Sequence, residues 1–146
     1  MNTKFNSQIC TTREQSERLL SLGLKTETAD MALIENWEYD LKDGKFFTGE
    51  YFERPIDYVE GMTGHYIPAW SLHRLIEMMP TMIKRWNQDW ELSINGAGVI
   101  YFRKDTTAII EALANNVYGN MISIIEWLIM EGYFPKEYLD GLDSKR

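Results

Sequence analysis

The sequence predicts a single α+β domain, and three stretches carry that prediction. Residues 67–80 read as a short amphipathic helix with a legible start and stop. Residues 90–103 alternate apolar and polar side chains around a glycine-rich turn, the pattern of an antiparallel hairpin. Residues 124–132 carry an apolar helical stripe that ends at a glycine. At 146 residues one domain is expected, able to bury roughly two-thirds of its unfolded surface without a covalent staple. Cys10 is the only cysteine, so no internal disulfide can form, and with two histidines beside it a structural zinc site is not expected.

Thr11 and Thr12 stand three residues before Glu14 and Gln15, the capping-box spacing. Leu19, Leu20 and Leu22 follow and Gly23 fits the position past a helix end, which predicts a helix over Thr12 to Leu22. Residues 1–10 are expected to fray, with Cys10 in a mobile arm.

From Thr26 to Tyr66 ten acids (Glu27, Asp30, Glu35, Glu38, Asp40, Asp43, Glu50, Glu53, Asp57, Glu60) stand against Lys42, Lys45 and Arg54. Outside it acids and bases balance at twelve each, so this segment carries the whole net charge of −7. It also holds eight of nineteen aromatic residues, which argues against disorder. Apart from a helical turn over Thr28 to Ile34 no period survives, and Asp43-Gly44, Gly49, Pro55, Gly61 and Gly64 punctuate it. The expectation for 26–66 is a long ordered acidic aromatic loop, with room for a short hairpin at Asp43-Gly44.

Pro68 and Ser71 compete for the start of the central helix, Leu72, Leu75, Ile76 and Met79 form its apolar face, and Pro80 stops it. Trp90, Leu92 and Ile94, then Asn95-Gly96-Ala97-Gly98, then Val99 to Arg103 give strand, turn and strand. Ala108 to Leu113 would pass as a third strand. Ile109, Leu113, Val117, Met121, Ile124 and Leu128 continue one stripe at steps of three and four, which favours a helix from Ala108, weakened near Asn115, Asn116, Gly119 and Asn120. Gly132 and Pro135 end it, and a polar tail follows. Leu72, Leu75, Ile76, Leu92, Ile94, Ile124, Ile125 and Leu128 are the expected core.

In Leu22-Gly23-Leu24, Thr28-Ala29-Asp30-Met31, Ile67-Pro68-Ala69-Trp70-Ser71-Leu72, Ile125-Glu126-Trp127-Leu128-Ile129 and Glu131-Gly132-Tyr133, the chain resembles a group of small uncharacterised proteins. These come from gut Bacteroides-type bacteria and their prophages or mobile elements. The likeness covers most of the chain outside the acidic segment, and it implies no activity and no catalytic residue.

Charge and motif content bound the function. Concentrated negative charge disfavours direct nucleic-acid binding, which needs clustered Lys and Arg. No apolar run suits a signal or a membrane span, so a cytoplasmic protein is expected. No Gly-x-Ser-x-Gly or His-Glu-x-x-His element occurs, and no catalytic residue, cofactor or metal is assigned. The candidate interaction surface is Trp37, Tyr39, Phe46, Phe47, Tyr51, Phe52, Glu53 and Asp57, rings with an acidic rim. On this reading the protein is a non-enzymatic accessory or interaction protein that offers its acidic aromatic loop to a basic protein partner, with homo-oligomerisation left open. The alternative is a small metal-assisted or acid/base enzyme using His65 with loop carboxylates. His73 and Glu77, four apart on the central helix, read as a solvated polar pair.

Overall fold

A computed structural model describes residues 8–42, 44–59 and 66–140, with backbone alone for 36–40 and 45–50. In chain order it holds α1 (Arg13–Ser21), β1 (Met31–Asp40), β2 (Lys45–Pro55), β3 (Tyr66–Ala69), α2 (Leu72–Met78), β4 (Met82–Arg85), β5 (Gln88–Asn95), β6 (Gly98–Phe102), β7 (Ala108–Ala112) and α3 (Val117–Met130). Short 3-10 turns stand at Thr26–Thr28, Ile56–Val59 and Lys136–Tyr138. The strands form two antiparallel sheets, ordered β2-β1-β3 and β4-β5-β6-β7. The α+β class is therefore observed, with two sheets where one was expected.

The predicted caps hold. Thr12 accepts from the Gln15 backbone N–H and Gln15 reaches back to the Thr12 N–H, so α1 opens with a complete capping box. Gly23, at φ 104°, ends it in a conformation that side chains resist. Ser71 is the N-cap of α2, accepting from the Arg74 N–H, and Pro68 belongs instead to β3. Seven residues make α2 too short to stand alone, and tertiary groups hold it. Asp30 accepts from both the backbone N–H and the hydroxyl of Ser71, and Arg74 donates to the Thr28 carbonyl at 2.7 Å. The Trp70 indole N–H donates to Thr28 Oγ1 at 2.9 Å, while the Trp70 backbone N–H bonds to Thr11 Oγ1. This network ties the residues before α1, the Thr26–Thr28 turn and α2 into one unit.

The main core lies between α3, α1, α2 and the inner face of the four-stranded sheet. Leu19, Leu75, Met121, Ile124, Ile125 and Leu128 are fully buried there with Trp70, Val99 and Tyr101. Of the expected core, Leu72, Leu92 and Ile94 are half-buried at its edge, and Ile76 is 38% exposed. Ile76 falls on the wet flank because α2 buries the side that carries Leu75 and Met78.

Three further expectations are corrected. The described part of residues 26–66 is no long loop: it is dominated by the β1–β2 hairpin, with strands of ten and eleven residues. Its rings and branched residues favour extended backbone, while an irregular register hides the period. Ala108–Ala112 is strand, paired to β6, and not the first turns of α3. Asn116 caps α3 by accepting from the Gly119 N–H, and Asn115 and Asn120 exchange two hydrogen bonds that fix the helix start. Cys10 is 3% exposed and Thr11 fully buried, so this end of the fraying segment is anchored: Thr11 N–H donates to the Trp70 carbonyl at 2.9 Å. Residues 1–7 lie outside the described residues.

Candidate functional site

The acidic aromatic segment is organised by one ladder. Its inner half is three strands wide, with Met31–Ile34 of β1 held between Phe52–Pro55 of β2 and Tyr66–Ala69 of β3. Beyond Ile34 the described pairing is β1 with β2 alone. After an irregularity between Glu35 and Trp37, the register sets Trp37 opposite Thr48, Glu38 opposite Phe47, Tyr39 opposite Phe46 and Asp40 opposite Lys45. Trp37, Tyr39 and Phe46 thus hold positions on one face of this outer ladder, and Glu38, Asp40 and Phe47 on the other. Near the tip Leu41, an apolar residue, is 88% exposed.

In the inner half the side chains are defined. Adjacent residues of β2 face opposite ways, so Tyr51 and Phe52 do not share a surface. Tyr51 packs with Leu33, Ala69 and Cys10, and Phe52 with Ala32, Ile34 and Val59 on the other side. Arg54 lies 4.7 Å from the Phe52 ring centroid and 5.8 Å from that of Tyr58, a cation over two rings. Glu53 and Asp57 are exposed. Among the described side chains, no ion pair joins an acid of 26–66 to Lys or Arg.

A cleft of about 300 Å³ opens on the Tyr51 side, lined by Arg13, Glu35, Tyr51, Tyr66 and Ile67. Tyr51 and Glu35 are cross-strand partners, and the phenol donates to Glu35 Oε1 at 2.9 Å. That bond to a carboxylate, with a smaller desolvation effect, pushes the phenol above its ordinary pKa. Arg13 sits 5.4 Å from the Tyr51 ring centroid and bonds Glu17 at 3.1 Å, which raises its own pKa. In this geometry the Tyr51 hydroxyl proton is committed to Glu35.

His65, Asp43 and Glu60 lie outside the described residues. His73 Nε2 stands 3.7 Å from Glu77 on an exposed flank, as the pairing rule expects. Among the described residues no group of three His, Cys, Asp or Glu is placed to hold a metal, and no helix is long and apolar enough to cross a membrane.

Two participants escaped the sequence reading. Arg13 was read only as part of α1, although its place one residue past the N-cap puts it beside the sheet. Leu41 stood out in no period. Its position between Asp40 and the turn at Gly44 was the available signal. Compared with protein-family models, curated proteins and solved structures, the chain matches none.

Proposed function

We propose that this chain is a non-enzymatic interaction protein whose β1–β2 hairpin docks on a basic protein surface, as an accessory factor of the kind carried by prophages and mobile elements. One observation carries the reading: the hairpin runs on beyond Ile34, where its described pairing to β3 ends, and takes Trp37, Tyr39, Phe46 and Phe47 with it. The exposed Leu41 near the tip supports it, as does the lack of Lys or Arg partners for the described acids between 26 and 66. Rings provide the anchors of an interface and carboxylates steer a cationic partner towards them. In one form of this reading the carboxylates take the place of nucleic-acid phosphates on a partner that normally binds them.

The test is capture of partners from lysate at low and high salt, using the parent chain and the charge-reversed pair Glu38→Lys with Asp40→Lys. Basic partners held at low salt, released at high salt and lost in the reversed variant are expected. Partners that stay bound at every ionic strength, or that bind the variant equally, contradict it.

A further inference from the structure

One end of the four-stranded sheet is built unlike the rest of the molecule. The β4–β5 and β6–β7 turns share that end, since the strands are antiparallel and the β5–β6 turn takes the other. All the non-glycine residues with left-handed φ among the described residues sit in these two turns: Trp86 at 55°, Asn87 at 60° and Thr106 at 69°. Arg85 pairs with Gln88, so Trp86 and Asn87 form a two-residue turn with both central residues at positive φ. Asn, Asp and Gly are the easy occupants of such a turn, and a bulky indole is a costly one. Burial does not offset that cost, because Trp86 is 69% exposed. Its contact within the fold is edge-on to buried Trp90, with ring centroids 6.2 Å apart. A strained residue that keeps its ring in solvent is a pointer to function.

Donors stand unspent around this ring. The Arg85 guanidinium lies 4.8 Å from the Trp86 centroid with its side chain 29% exposed. Its ion pair with Glu131 spans 3.6 Å, too long for a hydrogen bond, and among the described residues its planar fork makes none. Lys84 and Lys104 have no ion-pair partner among the described residues. Arg103 is committed, bonded to Asp105 at 2.7 Å and Gln88 at 2.6 Å and set 5.2 Å from the Trp90 ring, so it braces the platform. Clefts of about 480 and 380 Å³ flank the turn, the first lined by Lys84, Arg85 and Trp86, the second by Arg103, Lys104 and the Asp105 that Arg103 binds, with Asp89 lining both.

We propose that this end of the sheet is a second docking site, separate from the hairpin, and that it takes an acidic segment of another protein. A carboxylate of that segment is held by the Arg85 fork, a neighbouring apolar side chain packs on Trp86, and Lys84 and Lys104 attract flanking acids. A planar guanidinium matches a carboxylate in two parallel bonds, and Trp and Arg are among the residues enriched at the energetic centres of interfaces. A nucleic-acid strand fits less well, because its unbroken run of phosphates must pass Asp89 on a chain of net charge −7. The acidic hairpin of a second copy would join unlike surfaces and build rings or filaments.

The experiment titrates the parent chain with a fluorescently labelled synthetic peptide of alternating Glu, Leu and Asp, alongside an uncharged peptide of Gln, Leu and Asn of equal length and a labelled oligothymidine. Expected is salt-sensitive binding of the acidic peptide alone, weakened roughly tenfold or more by Trp86→Asn and by Arg85→Lys. Trp86→Asn suits the left-handed turn, so its melting temperature should stay close to the parent's, and Arg85→Lys keeps the charge while removing the fork. Four results overturn the proposal: no binding of the acidic peptide, equal or tighter binding of the oligothymidine or the uncharged peptide, affinity untouched by both substitutions, or concentration-dependent self-association that Trp86→Asn abolishes.

Discussion

Leu75 and Ile76 are sequence neighbours of similar size with different surroundings, the first fully buried and the second 38% exposed. Emptying the Leu75 site removes contacts that its packed neighbours cannot replace. Leu75→Ala should therefore cost about 2 to 5 kcal/mol by chemical denaturation. Ile76→Ala should cost less than about 1 kcal/mol, since water already reaches that side chain. The helical period marked both residues as core, because it centres the stripe between Leu75 and Ile76, whereas the buried line of α2 runs through Leu75 and Met78. Cys10 gives a second test at this scale. Burial first, then the charges of Glu53 and Asp30, push its thiol from 9.0 up to about 12. The folded state thus holds this proton to higher pH than the unfolded chain does. The resulting stabilisation is complete below about pH 9 and is lost as pH climbs towards 12. Buried Tyr101, also pushed upward by desolvation, acts in the same direction. The denaturation midpoint should fall from about pH 9 upward, and less steeply in Cys10→Ala. A parallel fall in that variant would exclude the thiol as a contributor.

At the scale of elements, local hydrogen bonds decided boundaries that hydrophobic period could not. Ile109 and Leu113 line up with Val117, Met121, Ile124 and Leu128 in a helical count, yet the helix starts at Val117. The Asn116 cap and the paired Asn115 and Asn120 amides fix that start, and branched Ile109 and Ile110 are free to extend into β7. Residues read as weak points inside a helix were its N-terminal signal. Asn116→Ala should cost about 1 kcal/mol, measured by denaturation. The β6–β7 pairing has its own sensitive point at Gly98. A Cβ built there meets a Leu113 methyl at 2.3 Å and the Ala112 carbonyl oxygen at 2.6 Å. The leucine end can swing aside, but the carbonyl belongs to the sheet. Gly98→Ala should destabilise by about 1 to 3 kcal/mol, the usual cost of forcing atoms into a packed site. Gly96, with nothing within 4 Å of its built Cβ, is the control, and Gly96→Ala should be near neutral.

Across the whole molecule, what could be read depended on how local the determining forces were. The α1 capping box, the Ser71 cap, the Asn95–Gly98 turn and the α3 stop at Gly132 each lie within a few residues, and each was legible. The pairing of β1 with both β2 and β3 was not, because a strand whose partners are Pro55 and Ala69 at once is specified by contacts across tens of residues. Nor was the β4–β5 hairpin, whose Trp86-Asn87 turn lacks the usual glycine. The candidate surface was legible as composition, and its geometry was not: Tyr51 and Phe52 looked like one patch and lie on opposite faces. This architecture separates folding from presentation in a way that can be cut. The described side chains of the hairpin that join the small cores belong to Met31–Ile34 and to Tyr51 and Phe52. If the outer ladder serves a partner, replacing residues 37–48 by Asn-Gly should leave one cooperative unfolding transition with a midpoint near the parent's. The same variant should lose salt-sensitive capture of the basic partner. A large loss of stability would mean that the outer ladder braces the fold, and unchanged capture would remove the hairpin from the interface.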